Sequence, residues 1–210
     1  MKKSIILGLS VIALAVNLTS CKKGENDPFL SLSSRKARLA GEWTLTNETN
    51  NDVYNGNNGV NDYIQTTTSI YDGTTRTGTE TTVTNGQIET DLLTPQVYTQ
   101  QLTIEKDGTF ILSYISADGS EKYEGNWVFL GKNKSTKLKN KEAISLSFSK
   151  FTSTDADGVT TSSSAQDLDG WVFAIDQLKK KEIVLIDESS NTNSQGKVNS
   201  NITVSTYTLK

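Results

Sequence analysis

From Gly41 nearly to the C-terminus, apolar and polar residues alternate with a period of two, and that period leaves little choice of fold. Trp43 and Leu45 share one side of an extended chain, as do Leu102 with Ile104, then Phe110, Leu112 and Tyr114, then Tyr123, Trp127 and Phe129 with Gly125 between them. Ile144, Leu146 and Phe148 continue the series, followed by Trp171, Phe173 and Ile175, by Ile183 and Leu185, and finally by Ile202 and Val204 or the alternate pair Tyr207 and Leu209. One buried and one wet face is the mark of antiparallel sheets, whereas a parallel sheet would show continuous apolar runs with helices between them.

The turn chemistry agrees. Asp-Gly stands at 72–73, 107–108, 118–119, 157–158 and 169–170, and Asn-Gly at 55–56, 58–59 and 85–86, dipeptides that tolerate the positive φ of tight hairpins. The clearest unit is a meander over 102–129 turned at Asp107-Gly108 and Asp118-Gly119. The segments number about eight to ten strands, which suits an all-β, antiparallel up-and-down barrel, because closure removes sheet edges that would otherwise aggregate. A two-sheet sandwich is the competing architecture.

Residues 1–20 have a different character. Lys2 and Lys3 precede a mostly apolar run from Ser4 to Val16, and Leu18-Thr19-Ser20-Cys21 fits a lipobox, in which small residues precede a cysteine to be acylated. A spanning helix needs about 20 apolar residues, more than this run supplies, and an ordinary cleaved secretion signal is the other reading. Cys21 is the only cysteine, so no disulfide framework exists, and acylation accounts for a thiol that would otherwise sit free in an oxidising compartment. The reading is therefore a signal peptide over 1–20, a lipidated Cys21 with a polar tether to residue 30, and one domain over 31–210 held at the cell envelope. The expected membrane is the outer one, on its periplasmic face or at the cell surface. Serines at 31–34, a basic run and Gly41 suit a short helix from Ser31 to Leu39 that covers one barrel end.

Charge and residue type exclude several partners and chemistries. Without Lys2 and Lys3 the 21 basic residues fall to 19 against 24 acidic ones, a balance that argues against nucleic acid. The lysines at 132–141 and at 179–181 read as solvated loops. There is no histidine, which removes His-dependent triads and His-ligated metal. Ser33-Ser34-Arg35-Lys36 matches Ser-x-x-Lys without its companion motifs, and Asp155-Ala156-Asp157-Gly158 and Asp167-Leu168-Asp169-Gly170 read as turns rather than calcium loops. Glu42, Glu105, Glu121, Glu124 and Asp176 lie in strand segments, but no spacing selects a catalytic pair. Neither an enzyme, a metal site nor a cofactor is expected.

Two stretches are polar. Residues 47–94 are rich in Thr, Asn and Gly and read as an insertion containing a hairpin, Tyr63–Tyr71 and Thr74–Thr84 around Asp72-Gly73; residues 153–169 read as a polar loop. Candidate lining residues for a barrel interior are Trp43, Phe110, Tyr114, Tyr123, Trp127, Phe148, Trp171 and Phe173, which either fill the core or line a pocket for an apolar ligand or a sugar.

The lipobox, Asp27-Pro28-Phe29-Leu30, the basic helix ending Leu39-Ala40-Gly41-Glu42-Trp43, Leu-x-Ile-x-x-Asp-Gly-x-Phe at 102–110 and Tyr-x-Gly-x-Trp at 123–127 together resemble the lipocalin-like lipoproteins of the Bacteroidetes type. Gly-x-Trp at 41–43 is similar to the first-strand signature of lipocalins proper, where the tryptophan closes the barrel base. The resemblance implies an eight-stranded barrel, often with a cavity. The polar insertion and the lack of a second cysteine depart from the lipocalin pattern. The expected function is binding or carriage of a small hydrophobic molecule at the envelope; the alternative is a filled barrel that engages another envelope protein or a glycan.

Overall fold

A computed structural model describes residues 34–57, 59–130, 142–164 and 170–210. The signal peptide, Cys21, the tether, Leu32, Lys132 to Lys141 and Asp167 to Asp169 lie outside the described residues.

A short helix α1 (Arg35–Leu39) comes first. The strands are β1 (Gly41–Asn57), β2 (Asp62–Tyr71), β3 (Thr75–Thr84), β4 (Gln87–Leu92), β5 (Gln96–Ile104), β6 (Thr109–Ser116), β7 (Gly119–Leu130), β8 (Ala143–Asp155), β9 (Thr160–Ser164), β10 (Gly170–Leu178), β11 (Glu182–Thr192) and β12 (Val198–Leu209). All pairings are antiparallel, and the order β10-β11-β12-β1-β2-β3-β5-β6-β7-β8 closes through β8 and β10 into a ten-stranded barrel. The expected all-β barrel with an N-terminal helix is thus what the chain forms.

The ring changes size along its axis. At the base, Gly41 to Thr44 of β1 pair directly with Ile104 to Gln101 of β5, so eight strands close there; from Glu48 onward β1 pairs with β2 instead. The β2–β3 hairpin is driven like a wedge between β1 and β5, with its turn at the point where they part. That turn needs Gly73, whose φ is +99° and which leaves no room for a side chain beside the Thr46 carbonyl, 3.2 Å from where a Cβ would stand. Asp72 fixes it further by accepting from the amides of Thr74 (3.0 Å) and Thr75 (2.9 Å). Beyond the ring, β4 hangs on β3 and β9 on β8.

α1 closes the base. Ser34 caps it, its hydroxyl accepting from the Ala37 amide at 3.1 Å, and Leu39 lies fully buried over the barrel end. Trp43 donates its indole N–H to the Leu39 carbonyl at 2.8 Å, Arg38 donates to the carbonyl of Leu178, and Arg35 pairs with Glu142. Above it the core packs Leu45, Leu102, Ile104, Phe110, Leu112, Trp127, Ile144, Leu146, Ile175, Leu178, Ile183 and Leu185.

Several finer expectations need correction. Asn55-Gly56 is no turn: both residues lie within β1, opposite Ile64 and Tyr63. Residues 47–94 are not an insertion outside the body, because β1 runs on to Asn57 and the 62–84 hairpin forms part of the barrel wall. Residues 153–164 are not loop but the end of β8 and all of β9, turned at Asp157-Gly158. Of the two parities at the C-terminus, Tyr207 with Leu209 faces the core, while Ile202 is 40% exposed.

Candidate functional site

Above the apolar base the barrel interior turns polar. Glu48 on β1, only 7% exposed, accepts from Arg76 of β3 through one oxygen and from the Ser205 hydroxyl of β12 through the other, at 2.8 Å. Gln100 of β5 donates its amide to the phenol oxygen of Tyr207 at 2.5 Å. Tyr71 stacks on Tyr98 with ring centres 4.6 Å apart and donates to the Tyr98 carbonyl at 2.9 Å, and the Arg76 guanidinium lies 5.1 Å from the Tyr98 ring centre.

This layer forms part of the lining of a cavity of about 210 Å³. Its apolar side is Leu112, Tyr114, Trp171 and Phe173; its polar side is Glu48, Asn50, Arg76, Gln100, Asp187, Thr203, Ser205 and Tyr207. Tyr114 also borders the wider mouth of about 730 Å³, which Gln96, Tyr98, Ser116, Glu121, Ser153 and Asp155 help to line. The lining is therefore mixed, not apolar.

Burial governs the titration of these groups. It pushes the Tyr98 phenol up to about 12, with the Glu48 charge adding to the shift, and lifts Tyr114 and Tyr207 higher still. Burial also raises the Asp187 carboxyl, to which no described residue brings a compensating charge.

The candidate lining residues divide into three groups. Trp43, Phe110 and Trp127 are 1%, 1% and 4% exposed and fill the base; Trp127 donates to the Glu105 carbonyl at 2.8 Å beneath the Lys36 ammonium. Tyr123 and Phe148 pack side by side at 5.1 Å and brace Trp171 from 5.5 and 4.7 Å. Tyr114, Trp171 and Phe173 alone among them reach the cavity.

The acids named from the sequence do not converge there. Glu42 and Glu105 are exposed, Glu124 pairs with Lys122 and Lys150 on the outer surface, and Glu121 lies in the mouth. Asp155 spends a carboxylate oxygen on the amides of Asp157 and Val159 in its own hairpin turn, and no metal-holding cluster exists among the described residues. The inward acids among the described residues are Glu48 and Asp187: Asp187 continues the parity of Ile183 and Leu185, whereas Glu48 breaks that of Trp43 and Leu45. A bulge at Thr46 explains Glu48: β1 gains one residue between Leu45 and Asn47 relative to β12, which reverses its parity and turns Glu48 inward, opposite Ser205. No helix among the described residues is long and apolar enough to cross a membrane. No protein-family model, curated protein or solved structure matches this chain.

Proposed function

We propose that this chain is a lipid-anchored, lipocalin-like lipoprotein of the cell envelope, held by Cys21 at the outer membrane, whose barrel binds a small ligand and does not transform it. The observation that carries the reading is the cavity between the closed base and the open mouth, with Trp171 and Phe173 on one part of its lining and polar side chains on the rest. That lining favours a guest with both polar and apolar faces over the purely hydrophobic one expected from the sequence. The non-catalytic reading is supported by the fate of Glu48: Arg76 and Ser205 occupy both of its oxygens, so it is engaged as structure and leaves Asp187 without a second free carboxylate beside it.

The test is native mass spectrometry of the mature lipidated chain, extracted in detergent and exposed to a lipid and metabolite extract of the source cell. A stoichiometric adduct lost on Trp171→Ala, with the barrel still folded by circular dichroism, is the expected result. A bare mass throughout overturns the binding reading, and turnover of nitrophenyl glycosides would overturn the non-catalytic one.

One observation favours a second reading, an interaction module. The outer face of the β2–β3–β4 sheet carries Ile64, Thr66, Thr68, Ile70, Thr77, Thr79, Thr81, Val83, Ile88, Thr90 and Leu92, its one charge being Asp62 at the start of β2, with Ile88 72% and Leu92 85% exposed. Under this reading Ile88→Lys with Leu92→Lys abolishes capture of an envelope protein by cross-linking, while the adduct seen by mass spectrometry is unaffected.

A further inference from the structure

The cavity presents two polar valences that the described residues leave open. Tyr207, 4% exposed, accepts the Gln100 amide, which leaves its own phenol proton to donate. Arg76 adds its charge to the lining, with its guanidinium held by Glu48 beside the Tyr98 ring. Asp187 lines the same space, and no described residue donates to its carboxylate. Beside these groups stand Trp171 and Phe173, two residues apart on β10 with ring centres 6.2 Å apart at 78°, and Trp171 is braced edge-on by Phe148.

Each simple ligand class can be set against this pattern. An acyl chain would cover the rings but leave the Tyr207 donor and the Asp187 acceptor unfilled. An anion would suit Arg76 and meet Glu48 and Asp187. An ammonium would suit Asp187 and meet Arg76 and the phenol proton. A hydroxyl group both donates and accepts, so a ring bearing several hydroxyls satisfies both positions while laying its C–H face on the indole. At about 30 Å³ per water the cavity holds about seven waters, the space of one six-membered sugar ring.

Taking the binding reading above as its basis, we propose that the cavity is a carbohydrate site for a single neutral pyranose, the terminal residue of a glycan whose remaining units leave through the mouth past Tyr114. Trp171 is the stacking platform. Asp187 accepts from one hydroxyl, and Tyr207 donates to another.

The experiment is a saturation-transfer NMR titration of the mature lipidated chain in a sugar-free polyoxyethylene detergent. The probes are the methyl glycosides of glucose, galactose, mannose and N-acetylglucosamine, with palmitate and hexylamine as contrasts. At least one glycoside should bind saturably, and Trp171→Ala and Asp187→Asn should each weaken it tenfold or more, the first with the barrel still folded by circular dichroism and the second with the urea midpoint maintained or raised. Val172→Ala, on the exposed side of the same strand, should leave it unchanged. Palmitate or hexylamine binding without any glycoside overturns the sugar assignment and leaves the binding barrel standing. Binding by none of the probes, together with a bare mass after the cell extract, overturns both, and glycoside binding that survives Trp171→Ala and Asp187→Asn places the sugar elsewhere and overturns this site.

Discussion

Replacing Arg76 by methionine keeps most of the side chain's apolar stem and removes only the charge that holds Glu48. Glu48 is 7% exposed, and its other contact is the neutral Ser205 hydroxyl, so the variant retains a buried carboxylate with half its partners gone. Two unit charges about 4 Å apart attract by about 4 kcal/mol at an effective dielectric near 20. The Arg76 side chain is 34% exposed and therefore partly screened, which reduces the pair to about 2 kcal/mol. Urea unfolding followed by circular dichroism, on Arg76→Met, Glu48→Gln and the double variant, gives the coupling directly. The expected coupling is about 2 kcal/mol, with the double variant recovering much of what Arg76→Met loses because the orphaned charge is gone. A coupling below about 0.5 kcal/mol would show that the two groups do not act as a pair, and the account of Glu48 as engaged structure would fail with it.

Other consequences are open to direct measurement. Gly125→Ala would place a Cβ 2.0 Å from the Ser147 carbonyl and 3.0 Å from the Phe110 ring, so the β7–β8 pairing must part; a loss of about 3 kcal/mol or more in urea unfolding is expected. The phenol of Tyr98 sits at about 12 in the fold against about 10 unfolded, so its contribution is full below pH 10 and is lost as pH rises through 12. Tyr114 and Tyr207 act in the same direction, so phenolate absorbance near 295 nm should rise for these residues only together with alkaline unfolding. Burial raises the Asp187 carboxyl, so its ionisation opposes folding at neutral pH, and Asp187→Asn should raise the urea midpoint there while impairing ligand binding. Metabolic labelling with palmitate should mark the wild-type chain and not Cys21→Ala, and labelling of both would refute the anchor.

The base of this barrel was legible because its code is redundant. Leu102, Ile104, Phe110 and Leu112 alternate without interruption around Asp107-Gly108, and the turn and both faces point to the same register. The upper half was less legible for two physical reasons. On one side of the cavity alternation picks out Tyr114, Trp171 and Phe173, but on the other the inward residues are Glu48, Asn50, Arg76, Gln100, Asp187 and Ser205, which a search for apolar alternation cannot follow. Threonine, moreover, suits either side of a strand, so the faces of β2, β3 and β4 differ in charge more than in hydrophobicity.

Bulges supply the other reason, and they link fold to site. β1 slips one residue after Leu45, β8 after Phe148 and β10 after Ile175. Each slip reverses the parity that the apolar residues below it establish. In β1 the reversal brings Glu48 and Asn50 into the cavity; in β10 it lets Leu178 seal the base while Trp171 and Phe173 keep the opposite parity above. A strand of perfect period two cannot close an apolar base tightly and also choose independently which residues line the space over it. One extra residue at the boundary separates the two tasks. Deleting Thr46 should therefore leave Glu48 inward, now two residues past Leu45 in strict alternation, but it removes the extra residue at the point where β1 passes from β5 to β2 and should lower the urea midpoint. Thr46→Ala keeps the extra residue and loses only a hydroxyl contact to the Thr206 carbonyl, so it should behave almost as wild type. If the deletion and the substitution unfold at the same urea concentration, the extra residue is not what lets β1 leave β5 for β2, and the widening of the barrel above its base needs another explanation.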